Sequence, residues 1–234
     1  MKYVITVYRR ERGADKSVPQ SFVYETENVN DTVATALSAI NSRQPLTDID
    51  GNTARPIEWE CSCLQKKCGA CAMLVRGRPR LACDARLSEY KGEIILRPLK
   101  KFPTVCDLVV DRSILFENLK TLKLWLACDA ELSDENRELA YDSSECLQCG
   151  CCLEVCPNFY AGGEFFGMSA VPVTARLLTE MPPEKREEIA RLYKKHVFEG
   201  CGKSFACRKI CPKNIDTEKM LVNVNALAIW RRKK

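Results

Sequence analysis

The chain has 234 residues, 46% hydrophobic and 29% charged, a balance that excludes both a disordered chain and a membrane-embedded one. Its net charge of +5 is scattered except at Arg231-Arg232-Lys233-Lys234, so it lacks the basic stripe with interleaved aromatics that nucleic-acid binding needs. Fifteen cysteines are far more than a reducing compartment sustains as disulfides, which makes metal binding the first expectation.

The start of the chain, residues 1–7, has neither the apolar h-region nor the small-residue cleavage site of a secretory signal. The expectation is a mature chain beginning near Met1 in the cytoplasm. No stretch approaches the ~20 apolar residues that span a bilayer. The length suggests two domains at roughly 100–150 residues each. Residues 3–9 alternate as a half-buried strand does, and residues 21–26 repeat the pattern after the turn-prone Arg12-Gly13-Ala14-Asp15. Asp31 is positioned to cap a helix over residues 32–40, with Val33, Ala36, Leu37 and Ile40 on one face. Residues 72–75, a turn over Arg76-Gly77-Arg78-Pro79, and residues 93–97 supply further strands. This order predicts a β-grasp domain over residues 1–105.

Beyond Pro103 the alternation gives way to helical spacing. Leu115, Leu119, Leu122 and Leu126 form one stripe; Ile189, Leu192, His196 and Val197 form another behind the acidic start Glu184-Lys185-Arg186-Glu187-Glu188. Residues 216–230 read as a last helix and the basic tail as a solvated terminus. The second domain, residues 106–234, is therefore expected to be all-α, and the chain as a whole α+β.

Cys63, Cys68, Cys71 and, after eleven intervening residues, Cys83 reproduce the C-x4-C-x2-C…C spacing of plant-type ferredoxins that hold a 2Fe-2S cluster. Small residues such as Gly69 and Ala70 let such a loop curl so that its N–H groups face the sulfurs. Tetrahedral zinc also accepts four cysteines, but structural zinc sites usually pair them two and two. Residues 146–157 then contain C-x2-C-x2-C-x3-C-P, in which three thiolates hold one cubane and the fourth serves another. A partner run follows at Cys201, Cys207 and Cys211-Pro212, with Ser204 where a fourth cysteine would complete the pattern. Crossed sharing assigns Cys146, Cys149, Cys152 and Cys211 to a 4Fe-4S cluster. It leaves Cys156, Cys201 and Cys207, which suit a 3Fe-4S cluster; a serine oxygen binding a fourth iron is the other reading. Cys61, Cys106, Cys128 and Cys151 are left over and read as small buried hydrophobes, Cys61 being close enough to compete for the first cluster and Cys151 being expected to point away from its neighbours' cluster. His196, the one histidine, excludes Rieske ligation and reads as a packed residue. With no Walker motif, G-x-G-x-x-G, nucleophile elbow or H-E-x-x-H in the sequence, electron conduction is the expected work.

A plant-type 2Fe-2S domain followed by interleaved 4Fe-4S and 3Fe-4S ligands resembles the iron-sulfur subunit of succinate dehydrogenases and fumarate reductases. The segment Phe102-Pro103-Thr104-Val105-Cys106-Asp107-Leu108-Val109-Val110-Asp111 looks like the family's inter-domain linker, and Cys211-Pro212-Lys213 like its C-terminal signature. The resemblance implies a relay from an FAD-containing flavoprotein subunit through the three clusters to a quinone at a membrane-anchor subunit of cytochrome b type, with dicarboxylate chemistry on the flavoprotein. It admits haem on the anchor, and it implies peripheral attachment at the cytoplasmic face of the membrane. Ubiquinone-linked members carry a tryptophan and a histidine where this chain has the neighbourhood of Ala161 and Gly202, so the resemblance implies a menaquinone-type complex, or one whose anchor uses a different acceptor, in place of a ubiquinone-linked one. Pro157, Tyr160, Lys203 and Lys213 are the candidates for lining a quinone pocket. The alternatives are the iron-sulfur subunit of a related flavin reductase with another unsaturated acid or a thiol/disulfide partner, a zinc-binding interaction module, and a free-standing ferredoxin.

Overall fold

The computed structural model describes residues 1–126, 128–130 and 133–230; the tail from Arg231 lies outside the described residues. Contacts divide the chain into two units, Met1–Asp111 and Arg112–Lys234.

In the first unit the alternating apolar residues pair across two long strands. Strand β1 (Lys2–Arg9) is antiparallel to β2 (Val18–Glu25), with Tyr3 opposite Tyr24 and Ile5 opposite Phe22. Strand β5 (Ile94–Arg97) runs parallel to the other side of β1 and sets Ile94 against Ile5 and Leu96 against Val7. Strands β3 (Ala72–Val75) and β4 (Arg78–Leu81) complete a five-stranded sheet of order β2-β1-β5-β3-β4. Helix α1 (Val33–Asn41) buries Val33, Ala36, Leu37 and Ile40 completely, and each large aliphatic side chain so buried stabilises by about 1.5–3 kcal/mol. The β-grasp expectation holds.

Two local expectations are corrected. The helix cap is Thr32, whose hydroxyl accepts the Thr35 N–H at 3.2 Å. Asp31 instead accepts from the Tyr24 hydroxyl at 2.6 Å and from Asn28 Nδ2 at 3.0 Å. The turn after β3 is only Arg76-Gly77, both at positive φ, which is the two-residue geometry that matches strand twist. Arg78 and Pro79 already belong to β4, and Pro79 is tolerated because β4 is the outermost strand of the sheet.

Residues 106–111 pack with the first unit because of one carboxylate. Asp107, between the short strands β6 (Thr104–Cys106) and β7 (Val109–Val110), is fully buried at φ +34°. It accepts hydrogen bonds from Arg9 Nε at 3.0 Å, from Arg55 at 2.7 and 3.0 Å, and from the N–H groups of Arg10 and Glu58, each at 2.9 Å. The start of the sheet, the segment before the first cysteine loop and the end of the unit are thereby tied to one side chain.

The second unit is helical. Helices α2 (Ser113–Thr121), α3 (Arg137–Ser144), α4 (Cys151–Glu154), α5 (Ala170–Glu180), α6 (Glu187–Tyr193) and α7 (Thr217–Asn225) follow in order. Helix α5 packs against α2, α3 and α7 and buries Val171, Ala175 and Leu178. The leucine stripe of α2 ends early: Lys123 at φ +55° follows the helix, Leu122 is buried and Leu126 is exposed. Helices α6 and α7 each run on into a π-helical turn, Lys194–Phe198 and Ala226–Trp230. The buried Tyr193 hydroxyl donates to Asn225 Oδ1 at 2.8 Å and links the two. His196 is buried, stacked on Phe166 with centroids 4.5 Å apart, its Nδ1 2.9 Å from the Glu164 oxygen. Among the described residues no helix is long and apolar enough to cross a membrane.

Burial works to raise the Asp107 carboxyl, but the Glu58 N–H, Arg9 and the Arg10 N–H outweigh it and hold the group below the usual carboxylate range. A depressed carboxyl contributes stability that is fully present above its unfolded value of about 3.9 and is lost as pH falls through its folded value. Asp107→Ala leaves the buried Arg9 charge uncompensated and is expected to destabilise the protein by about 3–5 kcal/mol at neutral pH, measured by urea unfolding, with the deficit shrinking below about pH 4.

Candidate metal centres

The first cysteine loop is built by the β3–β4 hairpin. Cys71 immediately precedes β3 and Ala82-Cys83 immediately follow β4; because Ala72 pairs with Leu81, the hairpin returns Cys83 to the level of Cys71. The Ala82 N–H donates to the Cys71 oxygen at 3.0 Å and closes it. The eleven-residue gap in the sequence is thus one hairpin. Upstream, Leu64, Lys66 and Gly69 adopt positive φ, which turns the main chain round Cys63. The Gln65 and Lys67 N–H groups each lie 3.3 Å from Cys63 Sγ. Those donors, with Cys68, bring the Cys63 thiol down to about 7, whereas burial drives Cys71 up to about 12, with the charges of Cys83 and Cys68 adding to the rise. Lys66 reaches Asp84 at 2.8 Å and braces the loop against the residue after Cys83.

The second unit brings cysteines of the two runs close together, Cys152 feeling both Cys207 and Cys211. Cys146, Cys149 and Cys152 lie round Gly150 at φ +85° and the one-turn helix α4; Cys146 feels the charges of Cys149 and Cys211, and Cys152 those of Cys149, Cys146, Cys207 and Cys211. Cys207 feels Cys156 and Cys201, and these three line one cavity with Ser204, Lys203 and Phe165. Burial raises Cys146 to about 11 and drives Cys152, Cys207 and Cys211 upward. Donors offset it in part. Gln148 Nε2 lies 3.4 Å from Cys146 Sγ, the Thr217 hydroxyl 3.7 Å from Cys207 Sγ, and Cys151 brings Cys149 down to about 7. Cys151 is buried with its thiol beside Cys149.

Neighbouring thiols with N–H and O–H groups aimed at several of the sulfurs offer the soft ligands that iron-sulfur clusters require. Among the described residues no three His, Cys, Asp or Glu side chains converge tightly enough for a single metal ion.

The remaining candidates are placed as follows. Cys61 is exposed and Cys128 half-buried. Cys106 is buried, 3.0 Å from Glu58 Oε2, and raised to about 11 by burial. Lys203 lies at the cavity of Cys156, Cys201 and Cys207, Pro157 follows Cys156 at the surface, and Tyr160 is exposed. Lys213 is paired with Glu145 at 2.5 Å. Sequence reasoning missed Gln148 and Thr217, which carry no spacing signal, and it missed Gly200 and the close packing at Gly202. A Cβ on Gly200 would sit 2.4 Å from the Phe165 ring, and one on Gly202 3.0 Å from Asn158 Nδ2, which itself donates to the Gly200 oxygen at 2.7 Å.

Residues 4–117 match the family described as 2Fe-2S iron-sulfur cluster binding domain, and residues 142–215 the family described as 4Fe-4S dicluster domain. The chain is 33% identical over 237 residues to the succinate dehydrogenase iron-sulfur subunit of Bacillus subtilis, covering 96% of this chain and 91% of that one. It is 29% identical over 177 residues to the fumarate reductase iron-sulfur subunit of Escherichia coli O157:H7, with 72% of each covered. A chain of the Mycobacterium smegmatis Sdh1 complex in the apo form has the same fold, with a TM-score of 0.68 at 20% identity, covering 96% of this chain and 95% of that one.

Gly200→Ala is expected to overpack the wall beside Cys201 and to cost about 1–3 kcal/mol in urea unfolding; Phe165→Ala in the same chain should relieve most of that penalty, a coupling a double-mutant cycle reads directly.

Proposed function

Because the chain belongs to the family of iron-sulfur subunits of succinate dehydrogenases and fumarate reductases, we propose that it relays electrons between an FAD-containing flavoprotein subunit and a quinone through three clusters. The ligands are Cys63, Cys68, Cys71 and Cys83 for 2Fe-2S; Cys146, Cys149, Cys152 and Cys211 for 4Fe-4S; and Cys156, Cys201 and Cys207 for 3Fe-4S. Each cluster, when bound, takes up and gives back one electron at a time. The observation that carries this reading is the meeting of the two runs: Cys146 and Cys152 feel the charge of Cys211, Cys152 that of Cys207 as well, and Cys156 lines one cavity with Cys201 and Cys207.

The chain's own residues do the holding and the insulating. Main-chain donors from Gln65 and Lys67 keep Cys63 ready as thiolate near neutral pH. Phe165, Val171, Val197 and Leu221 line the third set's cavity and keep water from the sulfurs, which together with hydrogen bonding sets a cluster's potential. Ser204 stands where the pattern calls for a fourth thiolate, and an alcohol oxygen is a harder, poorer ligand for these clusters than thiolate, which supports three ligands there. The quinone is menaquinone or another acceptor in place of ubiquinone, since Gly202 occupies the position of the ubiquinone-linked histidine. Lys203, Pro157, Tyr160 and Lys213 are the candidates for its surroundings. The membrane-anchor subunit, of cytochrome b type and able to carry haem, supplies peripheral attachment at the cytoplasmic face.

Low-temperature EPR through a redox titration of the purified complex tests this; three distinct signals are expected, and fewer than three would refute the ligand sets. Cys207→Ala should abolish the 3Fe-4S signal and quinone reduction while a dye coupled at the flavin still turns over succinate. Retained quinone activity in that variant would defeat the relay order. Ser204→Cys should convert the third signal from 3Fe-4S to 4Fe-4S.

A further inference from the structure

Gln148 lies between two cysteines of the second set on a backbone bent to φ +50°, a conformation that non-glycine residues rarely adopt. Its Nε2 sits 3.4 Å from Cys146 Sγ and 2.9 Å from the main-chain oxygen of Ser169. Both neighbours are acceptors, so only the donor end of the amide suits that position. The other end, Oε1, is buried with no hydrogen-bond partner. A left-handed backbone and an orphaned acceptor are two local costs at one residue, and their common product is an N–H aimed at a ligand sulfur.

We propose that Gln148 is a positioning residue for the 4Fe-4S cluster: its amide fixes the Cys146 sulfur and, by donating to it, favours the reduced state and raises the midpoint potential. The inference rests on the reading that Cys146, Cys149, Cys152 and Cys211 hold that cluster. One-electron reduction adds a unit of negative charge that spreads onto the ligand sulfurs, and an N–H dipole aimed at a more negative sulfur binds it more strongly. Reduction is thus assisted without any proton being transferred. The bond to Ser169, buried directly before α5, anchors the donor to the helical core, so the N–H is held in place in both redox states.

The test is a redox titration of the purified complex followed by EPR, comparing the natural chain with Gln148→Met, which keeps the length of the side chain and removes the donor. The 4Fe-4S midpoint should fall with a roughly tenfold shift in the reduction equilibrium, about 59 mV for a one-electron couple. The 2Fe-2S and 3Fe-4S midpoints should stay in place. Where Gln148→Met fails to assemble the cluster, Gln148→Leu reads the same quantity. An assembled cluster with an unchanged midpoint would overturn the inference and leave Gln148 as a staple between its loop and Ser169. Absence of any 4Fe-4S signal from the natural complex would instead refute the ligand set, which is a separate result.

Discussion

Burial of thiolate is the constraint from which the rest of this structure follows. Iron takes the deprotonated sulfur, whereas an apolar surrounding opposes that charge, and Cys71, Cys146, Cys152, Cys207 and Cys211 are all pushed upward by their burial. A protein that both shields its sulfurs from water and keeps them able to bind must aim donors at them. Each cysteine set meets that demand: Gln65 and Lys67 at Cys63, Gln148 at Cys146, Cys151 at Cys149, and Thr217 at Cys207. Cation binding supplies the remaining compensation, so the folded state and the loaded state support each other.

The scaffolds that hold these donors differ between the units. In the first, a hairpin fixes Cys71 against Cys83, and the carboxylate of Asp107 ties the segment leading to Cys63 to the edge of β1. In the second, short loops with left-handed residues hang from helices whose core is assembled round α5. The glycines on either side of Cys201 belong to the same logic, because Phe165 and Asn158 press on the main chain where a side chain would otherwise stand. Small residues there are a consequence of close approach to the cavity wall.

The metal chemistry was legible in the sequence because ligand spacing is a local property: a loop of fixed length presents its sulfurs wherever the fold carries it. The β-grasp order, α1 with its buried face, and the last helix were legible for a similar reason, their apolar periodicity being strong. What escaped was decided by tertiary contact. Strand β4 contains Arg78, Pro79 and Arg80 and reads as a turn until its outermost position in the sheet is known. Asp31 and Thr32 are both good caps, and the choice fell to Tyr24 and Asn28, which claim Asp31. Helix α3 buries little beyond Ala140 and Ser143, so its sequence has no stripe to find, and α5 opens on Val171-Pro172, which conceals the helix behind a residue usually read as a breaker. Gln148 meets Ser169 across 21 positions, a juxtaposition that no local pattern encodes.

The source of the donors also separates the two units in what substitution can change. At Cys63 the donors are main-chain N–H groups, whose direction is set by the φ angles of Leu64 and Lys66 and whose identity no side-chain replacement alters. At Cys146, Cys149 and Cys207 the side chains of Gln148, Cys151 and Thr217 join main-chain N–H groups as donors. A single replacement there removes a donor and leaves the fold of the loop to its main chain. The sulfur environment of the first set is therefore held mainly by backbone geometry, while in the second unit a single replacement can remove one donor from a sulfur and leave its main-chain donors in place.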